Sequence, residues 1–222
     1  MPAGLLLALA LAAVGWFARR TPSPPSRAAR YRRWMARVGA AFGLSTLAGL
    51  ALLGRVDALW RLPMEFAPLR AMLPAMALAE VAGGAIGGVA IGLAVAGWRA
   101  RRGGRPIGKP GSLMPRSRAE LPWGAAVALV AGVAEELFFR LLLPLLIAIF
   151  TGSALLGFGA ATLVFAGLHR YQGWRGVVAT GLFGAVMTAI LLISGALWLV
   201  VLLHAAIDLG GLVLWPALYR AR

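Results

Sequence analysis

Apolar residues run through this chain in long blocks, separated by short stretches rich in arginine, proline and glycine. Such runs predict helices long enough for a bilayer, rather than the short alternating segments of a membrane β-barrel. Seven are marked out: Ala3–Ala18, Val38–Gly54, Ala71–Trp98, Leu121–Phe150, Ala154–Leu168, Val177–Ile193 and Leu197–Trp215. The first spans only ~24 Å at 1.5 Å per residue, a marginal length. The fourth is predicted to kink at Pro144. Between them lie a basic loop over Arg19–Arg37, a mixed-charge loop over Arg55–Arg70 and a basic linker over Arg99–Arg118. The third run holds a lone carboxylate, Glu80, expected to be buried. Its Gly83, Gly84, Gly87, Gly88 and Gly92 predict a close helix-packing face.

Composition narrows the class. The chain has 222 residues and is 61% hydrophobic, where soluble domains run nearer half. The expectation is an all-α, polytopic helical membrane protein of about seven (six to eight) transmembrane helices enclosing an intramembrane catalytic cavity. Cysteine is absent, which excludes a disulfide framework, a thiolate metal site and a thiol nucleophile. The net charge of +15 would suggest nucleic acid in a soluble protein. In a membrane chain the basic loops instead set orientation and meet anionic headgroups, so membrane lipids are the expected partners and nucleic acid is not. With seven spans and the N-terminus outside, the inner side receives both basic clusters, Arg170, Arg175, Arg220 and Arg222. The outer side receives Arg55, Arg61 and Arg70 only. The positive-inside rule therefore predicts a multi-pass protein of the cell membrane with a cytoplasmic C-terminus. No internal repeat suggests a transporter built from duplicated halves.

Three of the carboxy-terminal helices carry polar groups into apolar sequence. Glu135, Glu136 and Arg140 sit on one, His169 ends the next, and His204 and Asp208 sit on the last; these are the only two histidines. An ionisable group at membrane depth costs a few kcal/mol unless paired or facing a wet cavity. Glu136 and Arg140 are i, i+4 and can form an ion pair, while Glu135 is rotated by ~100° and points elsewhere. His204 and Asp208 are also i, i+4, so the carboxylate can orient the imidazole. Glu135 as proton acceptor, one histidine holding water and another donor for an oxyanion suffice for hydrolysis. The alternatives are an N/O metal site for a divalent ion such as zinc, formed by Glu135, His169, His204 and Asp208, a polar cluster that only joins helices, and a proton relay in a small carrier. No Glu follows either histidine in an HExxH pattern, Asp208 is the lone aspartate in a span, and neither Ser153 nor Ser194 has a glycine-rich nucleophile motif. Among protease chemistries a glutamate-centred site remains.

The motifs also resemble a known family, the CPBP intramembrane proteases, which include type II CAAX prenyl endopeptidases and bacteriocin-processing and immunity proteins. Glu135-Glu136-Leu137-Phe138-Phe139-Arg140 matches its EExxxR motif. Phe165-Ala166-Gly167-Leu168-His169 matches FxxxH, and His204-Ala205-Ala206-Ile207-Asp208 matches Hxxx(N/D). The resemblance implies peptide-bond hydrolysis in the membrane, on a membrane-associated protein or peptide. Glu135 is then general base, His169 helps activate the water, and His204 with Asp208 stabilises the oxyanion. Glu136 and Arg140 are structural or substrate-contacting. The alternative within the same family is a non-catalytic scaffold or immunity protein. The chain then divides into membrane helices with basic cytoplasmic loops (1–118), a protease core (119–216) and a basic tail (217–222), all in one membrane domain. If the bilayer began at Leu121, Glu135 would lie ~20 Å deep while His169 sat near the inner end of its helix. The expectation is therefore that Leu121–Val130 is partly interfacial and that the span proper starts nearer Ala131.

Overall fold

The structure is a computed structural model that describes residues 2–19, 21–22, 24–104 and 111–219. It is all helical among the described residues, as a polytopic membrane protein requires. Seven long helices carry the fold: α1 (Pro2–Ala18), α2 (Arg27–Leu52), α3 (Leu78–Arg101), α4 (residues 121–151), α5 (Ala154–Leu168), α6 (Trp174–Ser194) and α7 (Leu197–Tyr219). Of these, α2, α3, α6 and α7 are long and apolar enough to cross a membrane by length and composition, and α1 is a shorter apolar helix. Large apolar side chains such as Leu163, Ile91 and Leu182 face outward, as they do where the surrounding medium is lipid.

Several boundaries differ from the sequence expectation. Helix α2 begins at Arg27 instead of Val38, so most of the expected basic loop is helix. Ser26 caps it by accepting a bond from the Ala29 amide, and the amphipathic turns bury Tyr31 and Val38. Hydropathy read the arginines as loop; Ser26 and the helix-forming Ala and Arg residues were the contrary signal. Helix α3 starts at Leu78, seven residues late, and Glu80 is exposed in its first turn, accepting from the Ala77 amide at 2.9 Å. Glu80 is thus a helix cap and not a buried carboxylate. A Cβ at Gly83, Gly84, Gly87, Gly88 or Gly92 would meet nothing within 4 Å, so the expected packing face has no partner among the described residues. The irregularity in α4 is a π turn over Leu137–Leu142, just before Pro144. Proline removes a donor and crowds the carbonyl four residues earlier, which widens that turn. The tail residues 220–222 and linker residues 105–110 lie outside the described residues.

Within lipid, burying an apolar side chain gains little, so cohesion comes from close packing and polar contacts. Gly132 on α4 lets α7 approach: a Cβ there would stand 2.9 Å from the amide nitrogen and Cβ of Ala205. On the other side, Phe42 of α2 packs against Phe138 and Phe139 of α4 at 4.9 and 5.0 Å between ring centroids, and Phe139 reaches Phe165 of α5 at 5.3 Å.

Helices α2 and α4 run parallel. Arg27 meets Glu120, Tyr31 stacks on Trp123, Gly43 faces Ala134 and Gly49 faces Leu142. That register sets the first turns of α4 beside the arginine-rich turns of α2, and residues from about Ala131 onward beside the apolar run that starts at Val38. Leu121–Val130 therefore stands beside the basic turns of α2, and Glu135 follows Ala131 by about one helical turn.

The start of α4 is latched. Arg27 Nε donates to Glu120 Oε1 at 2.7 Å, and its Nη2 reaches Tyr31 and the Met114 carbonyl at 2.8 Å. Glu120 also accepts from the Arg116 amide at 2.7 Å. The Arg27 bond, first among these, holds the Glu120 carboxyl down at about 2 from an ordinary 4.5. A depressed carboxyl contributes stability that is full above its unfolded value and is lost as pH falls toward the folded one. Glu120→Gln should therefore lower the unfolding temperature at pH 7. The gap from wild type should narrow from about pH 4.5 downward, read by thermal unfolding in detergent; a gap constant down to pH 3 contradicts the latch.

Candidate active site

Five of the six polar groups singled out in the sequence, all but His169, meet where α4 crosses α7. Glu136 and Arg140 are fully buried, and Arg140 Nε lies 3.2 Å from Glu136 Oε2, the ion pair expected from their spacing. The other oxygen of Glu136 accepts from His204 Nδ1 at 2.7 Å. Glu136 therefore bridges Arg140 and His204. The sequence reading paired it with Arg140 alone and gave Asp208 the task of orienting His204. Asp208 Oδ2 is 3.7 Å from His204 Nε2, beyond hydrogen-bond length. The missed signal was that Gly132, four residues before Glu136, brings Ala205 and hence His204 against this face.

Among the described residues Glu135 makes no hydrogen bond. Its Oε2 stands 4.0 Å from His204 Nε2, and the residue is 7% exposed. Asp208, with a side chain 33% exposed, is the most open member of the group. The edge of His204 Nε2 thus faces both free carboxylates, while Nδ1 is held from behind.

His169 follows the last turn of α5, and its Nδ1 bonds the Phe165 carbonyl at 2.8 Å. A carbonyl can only accept, so Nδ1 carries the proton and Nε2 is the free acceptor of the neutral ring. His169 and His204 flank the same Phe165 ring, at 4.7 and 6.2 Å between centroids. His169 makes no ion pair with a carboxylate among the described residues, so it joins the site through the aromatic wall and not by direct contact. The Arg140 guanidinium lies over the same Phe165 ring, 4.7 Å from its centroid, and its Nη1 and Nη2 have no hydrogen-bond partner among the described residues.

Among the described residues, no three His, Asp or Glu side chains are grouped so as to hold a metal ion. His204 Nδ1 is committed to Glu136 and His169 Nδ1 to its own helix. The set Glu135, His169, His204 and Asp208 does not converge as a coordination sphere in this arrangement.

The ion pair makes its own prediction. Removing one partner of a buried pair strands the other charge, at a cost of about 3–5 kcal/mol. Arg140→Met alone should be strongly destabilising, and Glu136→Gln/Arg140→Met should recover part of that loss. Thermal unfolding in detergent measures both; a double variant less stable than Arg140→Met would show that the two side chains do not act as a pair.

A family model described as type II CAAX prenyl endopeptidase Rce1-like matches residues 117–210. No curated protein and no solved structure matches the chain. Residues 117–210, which carry all three motifs and every side chain of the site, thus match the Rce1-like type II CAAX prenyl endopeptidase family, in agreement with the resemblance seen in the sequence.

Proposed function

We propose that this protein hydrolyses a peptide bond of a membrane-associated protein or peptide with a water activated by Glu135. The observation that carries the reading is the division of labour between adjacent carboxylates. Glu136 is consumed by Arg140 and His204, and Glu135, one residue away, has no hydrogen bond among the described residues. A carboxylate without a competing donor is available to accept a proton from water.

In this reading Glu135 takes the proton as the water oxygen attacks the carbonyl carbon. His169 Nε2, the free acceptor, orients the same water. The carbonyl oxygen becomes an oxyanion beside His204, whose Nε2 donates once protonated; the Glu136 contact fixes that ring. The tetrahedral intermediate collapses by breaking the C–N bond, and the leaving amine takes the proton back from Glu135. Asp208, at the open edge, donates to the oxyanion when protonated or helps hold the charged ring. The enzyme sits in the cell membrane with the N-terminus outside and the C-terminus cytoplasmic, so the site opens toward the cytoplasmic side.

The test is cleavage of a membrane-tethered or C-terminal peptide by the purified chain. Glu135→Gln, Glu135→Ala and His169→Ala should each lose about 10²–10⁴ in kcat/KM while staying folded. Activity retained in all three would overturn the proposal and leave a non-catalytic scaffold.

A further inference from the structure

A second polar feature lies away from the site, where α1 ends and α2 begins. An open cavity of ≈ 260 Å³ is lined by Arg19, Arg30, Arg33 and Arg37 together with Phe17 and Trp34. No Asp or Glu lines it among the described residues. On α2 the lining residues Arg30, Arg33, Trp34 and Arg37 are spaced i, i+3, i+4, i+7, so three cations share one helix face. Like charges at that spacing repel unless an anion lies among them.

The four arginines fall into two pairs. Arg37 donates to the carbonyls of Trp16, Phe17 and Arg19 and stacks on the Trp16 ring at 4.9 Å. Arg33 donates to the Pro22 carbonyl. Arg37 thus caps the end of α1, and Arg33 pins the chain beyond it at Pro22. The side chains of Arg19 and Arg30 have no hydrogen bond or ion pair to another described residue. Nor can the neighbouring carboxylate serve them: Glu120 is taken by Arg27, Tyr31 and the Arg116 amide. The cavity is therefore built by two arginines and left with two free guanidinium forks, the geometry that recognises phosphate. It opens at the ends of two apolar helices, with two aromatic rings at its edge, a placement typical of the headgroup layer.

We infer that this cavity binds the phosphate of an anionic phospholipid headgroup. The inference is independent of the proposed hydrolytic activity. The site clamps the α1–α2 turn, and Ser112 and Leu113 of the linker close its rim. The same linker places Gly111 against Tyr171, beside His169, so an occupied cavity would brace the entrance side of the candidate active site.

The test uses the full chain in a neutral detergent, titrated with phosphatidylglycerol, with phosphatidylcholine and with inorganic phosphate, and followed by native mass spectrometry. Wild type should hold one phosphatidylglycerol in preference to phosphatidylcholine. Arg30→Gln removes no protein hydrogen bond, so it should fold normally and bind about tenfold more weakly, since each phosphate contact carries a share of the affinity. Arg19→Gln/Arg30→Gln should bind more weakly still. Arg32→Gln, exposed and outside the cavity, should bind as wild type. Displacement of the lipid by millimolar inorganic phosphate would support the phosphate site but assign it to a free anion. Unchanged binding in Arg19→Gln/Arg30→Gln, or an equal loss in Arg32→Gln, would overturn the inference.

Discussion

The carboxy-terminal half of this protein depends on one buried chain of charge, Arg140–Glu136–His204. In lipid neither a lone guanidinium nor a lone carboxylate is tolerable, and at zero exposure both are out of reach of bulk water. Pairing reduces the cost but does not satisfy every donor, and the Arg140 terminal nitrogens rest against the Phe165 face instead. What the arrangement secures is geometry. Glu136 ties α4 to α7 through His204, and Arg140 ties α4 to α5 through Phe165. The three helices that bring the candidate site together are joined by one polar thread.

The backbone is shaped to permit it. Gly132 removes the side chain that would hold α7 away, and the π turn at Leu137–Leu142 rotates Arg140 and the two phenylalanines before it onto the inner face. Such turns recur at functional sites because they re-aim side chains without breaking a helix. The parallel register of α2 and α4 sets the arginines of α2 alongside the first turns of α4, and Glu135 beside the apolar run that follows them.

Much of this was legible in the sequence, for identifiable reasons. Long apolar runs gave the helices, because only helices satisfy backbone polar groups in lipid. Charged residues inside those runs gave the site, because their cost leaves few structural explanations. The boundaries of α2 and α3 were not legible. Hydropathy reads Arg27–Arg37 as loop, whereas amphipathicity and the Ser26 cap make it helix. Glu80 was misplaced for a related reason: Ala71–Ala77 are apolar but extended or turning, so the carboxylate falls at a helix start. The role of Glu136 was hidden because i, i+4 spacing reveals partners on one helix and says nothing of a histidine 68 residues away. The cationic cavity was hidden likewise, since its arginines gather only after α1 and α2 fold back on each other.

The central claim is that Glu136 holds His204 by Nδ1 and so leaves Glu135 unengaged. With only two histidines in the chain, ¹⁵N-histidine labelling gives a direct reading of both rings by NMR. The account predicts a protonated Nδ1 on each ring, with Glu136→Gln shifting the His204 Nδ1 signal and leaving that of His169 in place. A His204 ring with bare Nδ1, indifferent to Glu136→Gln, would contradict it.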